Sequence, residues 1–238
     1  TPLQSLLDMA QQKGKAVGIV TTTRVTHATP ASFYAHHHNR NAENEIATQY
    51  IEYAPKIDLL LGGGARHWTP NGKKGRFGKG KRKDGRDLIK EAKQNGFRVV
   101  TSRHQLRRAA RKKNTTPLIG LFASSHLSYE ADRKKETPKQ PSLTDLVTAA
   151  IKILEKNENG YFLMVEAGRI DHAGLANDPF RLVTDTAQFD KAIGHALDNV
   201  SREETLLVVT ADHETGGFAM INSLDPDQTK GNLALFGK

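Results

Sequence analysis

Apolar positions along the chain fall into two alternating kinds of run. Leu3, Leu6, Leu7 and Ala10 recur at helical spacing and the stretch stops at Gly14, which predicts an opening helix over residues 3–13. Residues 16–22 (AVGIVTT) are short, apolar and β-branched, as parallel strands buried on both faces are. Thr29 followed by Pro30 reads as an N-cap and a first-turn proline, predicting a helix over residues 30–39. Further strands are predicted at residues 57–61, ahead of Gly62, Gly63 and Gly64, and at residues 97–101, 118–122, 161–166 and 206–210. Helices are predicted at residues 86–94, 103–112, 143–156 behind a Ser142 cap, and 180–200. Residues 130–141, polar and carrying two prolines, read as a loop.

Strands and helices alternate about six times, which predicts an α/β layered fold with a mainly parallel sheet. No internal repeat is evident. The 238 residues, 37% of them hydrophobic, suffice to bury a core in one large domain or two small ones. No apolar run approaches the roughly 18–20 residues of a membrane helix. The opening stretch TPLQSLLDMAQQKGK lacks the layout of a secretory signal. With no cysteine, disulfides, thiolate metal sites and a cysteine nucleophile are excluded, so any metal must sit on His, Asp, Glu or hydroxyl groups.

Charge is unevenly spread. Residues 73–113 hold 17 basic and 3 acidic side chains, a local net of +14, while the remainder carries 18 basic against 23 acidic. That reads as a basic patch on a mildly acidic protein. A polyanion or nucleic-acid binder working through this segment is the rival from another functional class. Against it, only Phe77 and Phe97 could stack on bases there, and no recognition motif is visible.

Ligands of parallel sheets gather beyond the carboxyl ends of the strands. After AVGIVTT come Thr23, Arg24, His27 and Thr29; YFLMVE ends on Glu166 and is followed by Asp171 and His172; LLVVT is followed by Asp212 and His213. Carboxylates with a hydroxyl suit Mg²⁺, and an adjacent Asp and His suit Zn²⁺. Plainer readings exist for each. Thr29 could serve only as a cap, Asp212 and His213 could be a solvated dipeptide, and Arg40 could serve a helix C-terminus. Glu166 is harder to set aside, because a carboxylate beside YFLMV needs a partner. His36, His37 and His38 cannot chelate as a block, since successive helical residues point about 100° apart, and His37 and His38 are expected at the surface.

The strings VTTTRVTHATPASFYAHHHNR, LLLGGG, FLMVEAGRIDHAG and VVTADHETGG, in this order and spacing, resemble the alkaline phosphatase family from Thr1 to at least Gly217. The resemblance implies an alkaline-phosphatase-like layered fold with helices on both faces, formed by residues 1–238 as a partial domain. It implies a phosphomonoesterase with two zinc ions and one magnesium ion, a phosphoserine intermediate, a homodimer, and a periplasmic or secreted location. Carried over position by position, Thr29 and Glu166 match magnesium ligands, Asp171 a ligand of one zinc, and Asp212 and His213 ligands of the other. Arg40 matches the phosphate-binding arginine, a role suited to its planar fork of donors. His27 and His172 match positions that tune the metals without binding them. A metal hydrolase of the same superfamily acting on diesters or sulfate esters is a neighbouring possibility.

Two departures stand out. The family places a histidine four residues after the zinc-binding aspartate, where this chain has Leu175, and an alkyl side chain cannot ligate zinc. The family's serine nucleophile motif, Asp-Ser-Ala, and an aspartate shared between metals have no match in these residues, nor does a final zinc-binding histidine. The chain resembles the middle of an alkaline phosphatase, and turnover is not expected of it alone. A remnant whose fold persists without activity is the alternative.

Overall fold

The computed structural model describes residues 3–52, 57–113 and 117–218. Its centre is a five-stranded sheet built from β1 (Ala16–Arg24), β2 (Leu59–Gly63), β5 (Arg98–Val100), β6 (Leu118–Leu121) and β7 (Tyr161–Glu166), in the order β5-β6-β2-β1-β7 with every pairing parallel. A two-stranded hairpin, β3 (Lys74–Gly75) with β4 (Gly78–Lys79), lies apart from it. β1 pairs with β2 through Gly18 and Leu59 and with β7 through Gly18 and Leu163, so its apolar run is covered on both edges.

Helices cover both faces. On one, α1 (Leu6–Gln12), α2 (Ala28–Ala31), α3 (Glu43–Glu52) and α4 (Leu88–Gln94) pack around Leu7, Tyr50, Trp68, Leu88, Ile19 and Leu60. On the other, α5 (Arg103–Ala110), α7 (Leu143–Leu154) and α9 (Pro179–Asn199) pack around Leu106, Leu146, Val147, Val20, Leu59 and Leu61. The alternation of side chains along each strand feeds both cores. α6 (Glu130–Glu136) and α8 (Arg169–Leu175) complete the set. α7 begins as its sequence demands: Ser142 accepts from the Asp145 N–H, and the Asp145 carboxylate accepts from the Ser142 N–H, a reciprocal cap. Each fully buried leucine on its inner face, Leu146 among them, contributes about 1.5–3 kcal/mol.

Five expectations are corrected. The helix expected at residues 30–39 is only the four residues of α2, because residues 36–38 carry three exposed histidines with no apolar face to bury. Its N-cap is His27, without a side-chain cap bond, so Thr29 does not cap it. Residues 130–141 are not all loop: α6 forms there, fixed by the Arg133 to Glu130 ion pair at 2.6 Å around an Arg133 that is itself buried. Residues 206–210 pair with no strand among the described residues, and Leu206 and Val208 are 88% and 72% exposed. The basic segment is not one patch, since α4 belongs to one face of the sheet and α5 to the other. Arg82 is buried against Asp84, and Arg107 pairs with Asp145 at 2.8 Å.

The turn after β2 determines what stands at the carboxyl rim. Gly64 adopts φ +95°, a left-handed conformation, and a Cβ on Gly63 would lie 2.0 Å from the Ser125 carbonyl oxygen. Only glycine lets the loop after β6 come this close. The Gly64 N–H donates to that carbonyl at 2.8 Å, and the Leu127 N–H donates to Thr22 at 2.9 Å, which delivers His126 to the end of β1.

Candidate metal centre

Glu166 ends β7 opposite Thr21 of β1. Thr21 Oγ1 donates to its Oε2 at 2.5 Å and Thr23 Oγ1 at 3.1 Å, and the nearby Thr29 hydroxyl favours the ionised carboxylate. Burial holds the Glu166 carboxyl above its ordinary range, and nearby Asp212 adds to the effect. Among the described residues Glu166 forms no ion pair. A half-buried carboxylate beside hydroxyl oxygens and a second carboxylate, with no ion-pair partner among the described residues, is an environment suited to a hard divalent cation.

Asp171 lies in the first turn of α8 and accepts from Thr215 Oγ1 at 2.8 Å. Thr215 Oγ1 in turn lies 3.2 Å from Nδ1 of His213, whose Nε2 is 3.2 Å from Asp212. His213 is shifted upward, first by its bond to the Glu214 carbonyl and then by Asp212 and Asp171. Thr29, Glu166, Asp212, His213 and Asp171 therefore form one connected neighbourhood, although their positions in the chain span more than 180 residues. The Asp212 side chain is 80% exposed and His213 56%, so this side of the centre is open. Leu175, one helical turn after Asp171, is 65% exposed.

Beside this group stand three imidazoles. Ring nitrogens of His27, His126 and His172 lie within 4.8 Å of one another, and the His126 and His172 ring centroids are 4.4 Å apart. Arg40 Nη2 approaches His27 Nε2 at 3.4 Å, which brings the expected phosphate-binding arginine to the same rim. Burial and nearby arginines lower all three histidines, His27 to about 4 and His126 to about 2, so each ring is neutral at neutral pH. His126 was not among the residues singled out from the sequence. It follows β6 as Thr23 follows the core of β1, and the same reading of what comes after each buried strand would have reached it.

A parallel α/β sheet thus carries oxygen and imidazole side chains together at its carboxyl rim. The chain matches the alkaline phosphatase family over residues 1–231, and it belongs to that family. It is 43% identical to the repressible alkaline phosphatase of Saccharomyces cerevisiae over 232 residues, covering 91% of this chain and 41% of that relative. Among solved structures, alkaline phosphatase from Thermus thermophilus superimposes with a TM-score of 0.71 at 41% identity, covering 82% of this chain and 38% of that one. A variant of the TAB5 alkaline phosphatase, solved with magnesium bound, superimposes with a TM-score of 0.77 at 29% identity, covering 100% of this chain and 62% of that one. The chain thus spans about two fifths of the yeast relative's length. No helix among the described residues is long and apolar enough to cross a membrane.

Proposed function

We propose that the protein carrying this chain hydrolyses phosphate monoesters. The observation that carries the reading is Glu166, half-buried, bonded by the Thr21 and Thr23 hydroxyls and near Thr29 and Asp212, with no ion-pair partner among the described residues. In this reading Thr29 and Glu166 hold magnesium, Asp171 contributes to one zinc, and Asp212 with His213 contributes to the other. Bound divalent ions would supply Lewis-acid charge and an activated oxygen nucleophile. Arg40, exposed and free of any carboxylate contact among the described residues, donates its planar fork to the phosphoryl oxygens. His27 steadies that guanidinium through its Nε2, and His172 stands behind the rim.

These residues contain no match to the family's serine motif, so hydrolysis requires the part of the polypeptide that carries it. The isolated 238 residues, given zinc and magnesium, are expected to leave p-nitrophenyl phosphate unhydrolysed; zinc-dependent turnover above a metal-free control would contradict this. Co-expression with the portion of the yeast relative that this chain does not match should restore zinc-dependent hydrolysis, with Arg40→Ala lowering it about 10²-fold. A folded, metal-loaded assembly that remains inactive sinks the monoesterase reading and leaves the remnant.

A further inference from the structure

Asparagine followed by glycine occurs three times, at residues 71–72, 95–96 and 159–160. The side-chain carbonyl carbon of such an asparagine is within reach of the next backbone nitrogen, and glycine has no Cβ to block the approach. Ring closure needs that nitrogen free of other bonds and the asparagine amide free to turn. The three pairs differ in both respects.

The Gly96 N–H donates to the Lys93 carbonyl at 3.2 Å and Asn95 ends α4, so attack there must first undo a helix terminus. The Gly160 N–H donates to the Asn157 carbonyl at 2.9 Å, and the Asn159 amide itself donates to the Gly14 carbonyl at 3.3 Å. Residues 70–73 are bonded differently. The Lys73 N–H closes a turn on the Pro70 carbonyl at 3.2 Å, and Gly72, at φ +81°, takes the third position, where a left-handed glycine belongs. That bond spans the Asn71–Gly72 peptide without using it. Among the described residues neither the Gly72 N–H nor the Asn71 side-chain amide forms a hydrogen bond. Both residues are exposed, and a Cβ at Gly72 would meet nothing within 4 Å. Residues 73–83, which follow directly, carry seven cations and no carboxylate, a field that favours negative charge on the attacking nitrogen and on the carbonyl oxygen under attack.

We propose that Asn71 is a site of spontaneous deamidation. The deprotonated Gly72 nitrogen bonds to Asn71 Cγ, the side-chain nitrogen leaves as ammonia, and a cyclic succinimide results. One water then opens the ring, at Cγ to give aspartate or at the backbone carbonyl to give isoaspartate, whose chain runs through Cβ. Either product places a carboxylate beside the basic stretch. Isoaspartate also lengthens the backbone inside a tight seam: the Asn71 N–H donates to the Arg82 carbonyl at 2.7 Å, and a Cβ on Gly80 would lie 2.0 Å from the Thr69 carbonyl oxygen. An extra backbone carbon parts that seam, so the hold on residues 80–82 weakens as the protein ages. The conversion is independent of the monoesterase reading.

The test keeps the full chain in mildly alkaline buffer, folded and in urea, while peptide mapping by mass spectrometry follows each asparagine with time. In the folded chain Asn71 should convert about tenfold faster than Asn95 or Asn159, the factor by which an attack that must first break a hydrogen bond is slowed. In urea the three rates should converge. Asn71→Gln, whose ring closure is less favourable, should remove the dominant acidic species from cation-exchange chromatography. Equal rates in the folded chain, an intact Asn71 while another asparagine converts, or no conversion at Asn71 over the time in which the chain in urea reacts would each overturn the proposal. So would an acidic species that persists in Asn71→Gln, or an equal preference for Asn71 in urea, which would trace to the sequence and not to the turn.

Discussion

Glu166 and Asp185 are both carboxyls raised by burial, yet their surroundings give them different fates. Glu166 has hydroxyl donors and lies at the open rim, whereas Asp185 is buried on α9 and accepts from the Glu130 N–H at 3.1 Å. Burial pushes Asp185 up to about 6 from an ordinary 3.8, with Glu130 and Asp132 adding to the effect against Arg169. The folded state therefore holds this proton more tightly than the unfolded chain does. Stability falls as pH rises from about 4 to about 6, and the ionised group costs of the order of 2–3 kcal/mol above that window. Asp185→Asn keeps an acceptor for Glu130 and removes the charge. It should raise the unfolding free energy at pH 7.5 by about 2 kcal/mol and flatten the profile between pH 4 and 6. Urea melts at several pH values measure this, and an unchanged slope would count against a buried ionised Asp185.

Short elements decide how much of the centre is complete. α8 places residues 171 and 175 one turn apart on the same side, which is the spacing by which two helical ligands share an ion. Leu175→His should therefore add a zinc ligand beside Asp171. A tenfold gain in zinc affinity adds about 1.4 kcal/mol of zinc-dependent stability. In a chain of this size that is roughly 3 °C or more in Tm, seen with zinc and absent with a chelator. Identical zinc responses in parent and variant would show that Asp171 is not poised as a ligand.

The sequence was legible where an element carries its own reason to form. The apolar runs that became β1, β2, β6 and β7 and the capped amphipathic α7 needed no context. α3 was missed although Ile46, Ala47, Tyr50 and Ile51 share one face, because polar residues interrupt it. α6 was missed because its stability lies in Arg133 and Glu130 rather than in an apolar stripe. Residues 206–210 have a strand's composition, but a strand forms only against a neighbour. The donors at the rim were legible from strand ends and family strings together; the arrangement of arginines around the imidazoles was not, since it depends on the close approach at Gly63.

At the scale of the molecule, the basic surplus carries less functional weight than its number suggests. The helices of residues 73–113 lie on opposite layers of the sheet, and part of the +14 is buried or paired: Arg82 is 1% exposed, and Arg86 and the exposed Arg107 meet Glu91 and Asp145. Binding to a single-stranded oligonucleotide should be no tighter than the nonspecific range of about 10⁻⁴–10⁻⁶ M at physiological salt. Submicromolar affinity at that salt in a filter-binding titration would restore the polyanion reading.

β7 is the last strand of the sheet, bonded to β1 on one side and to no strand on the other among the described residues. Successive peptide groups of a strand point to opposite sides, so every second amide of β7 faces β1 and the rest face outward. In heavy water the chain should therefore label β7 in a comb, fast and slow amides taking turns, while β1 stays dark along its whole length. Anything that came to lie along that margin would register first as the disappearance of the fast teeth.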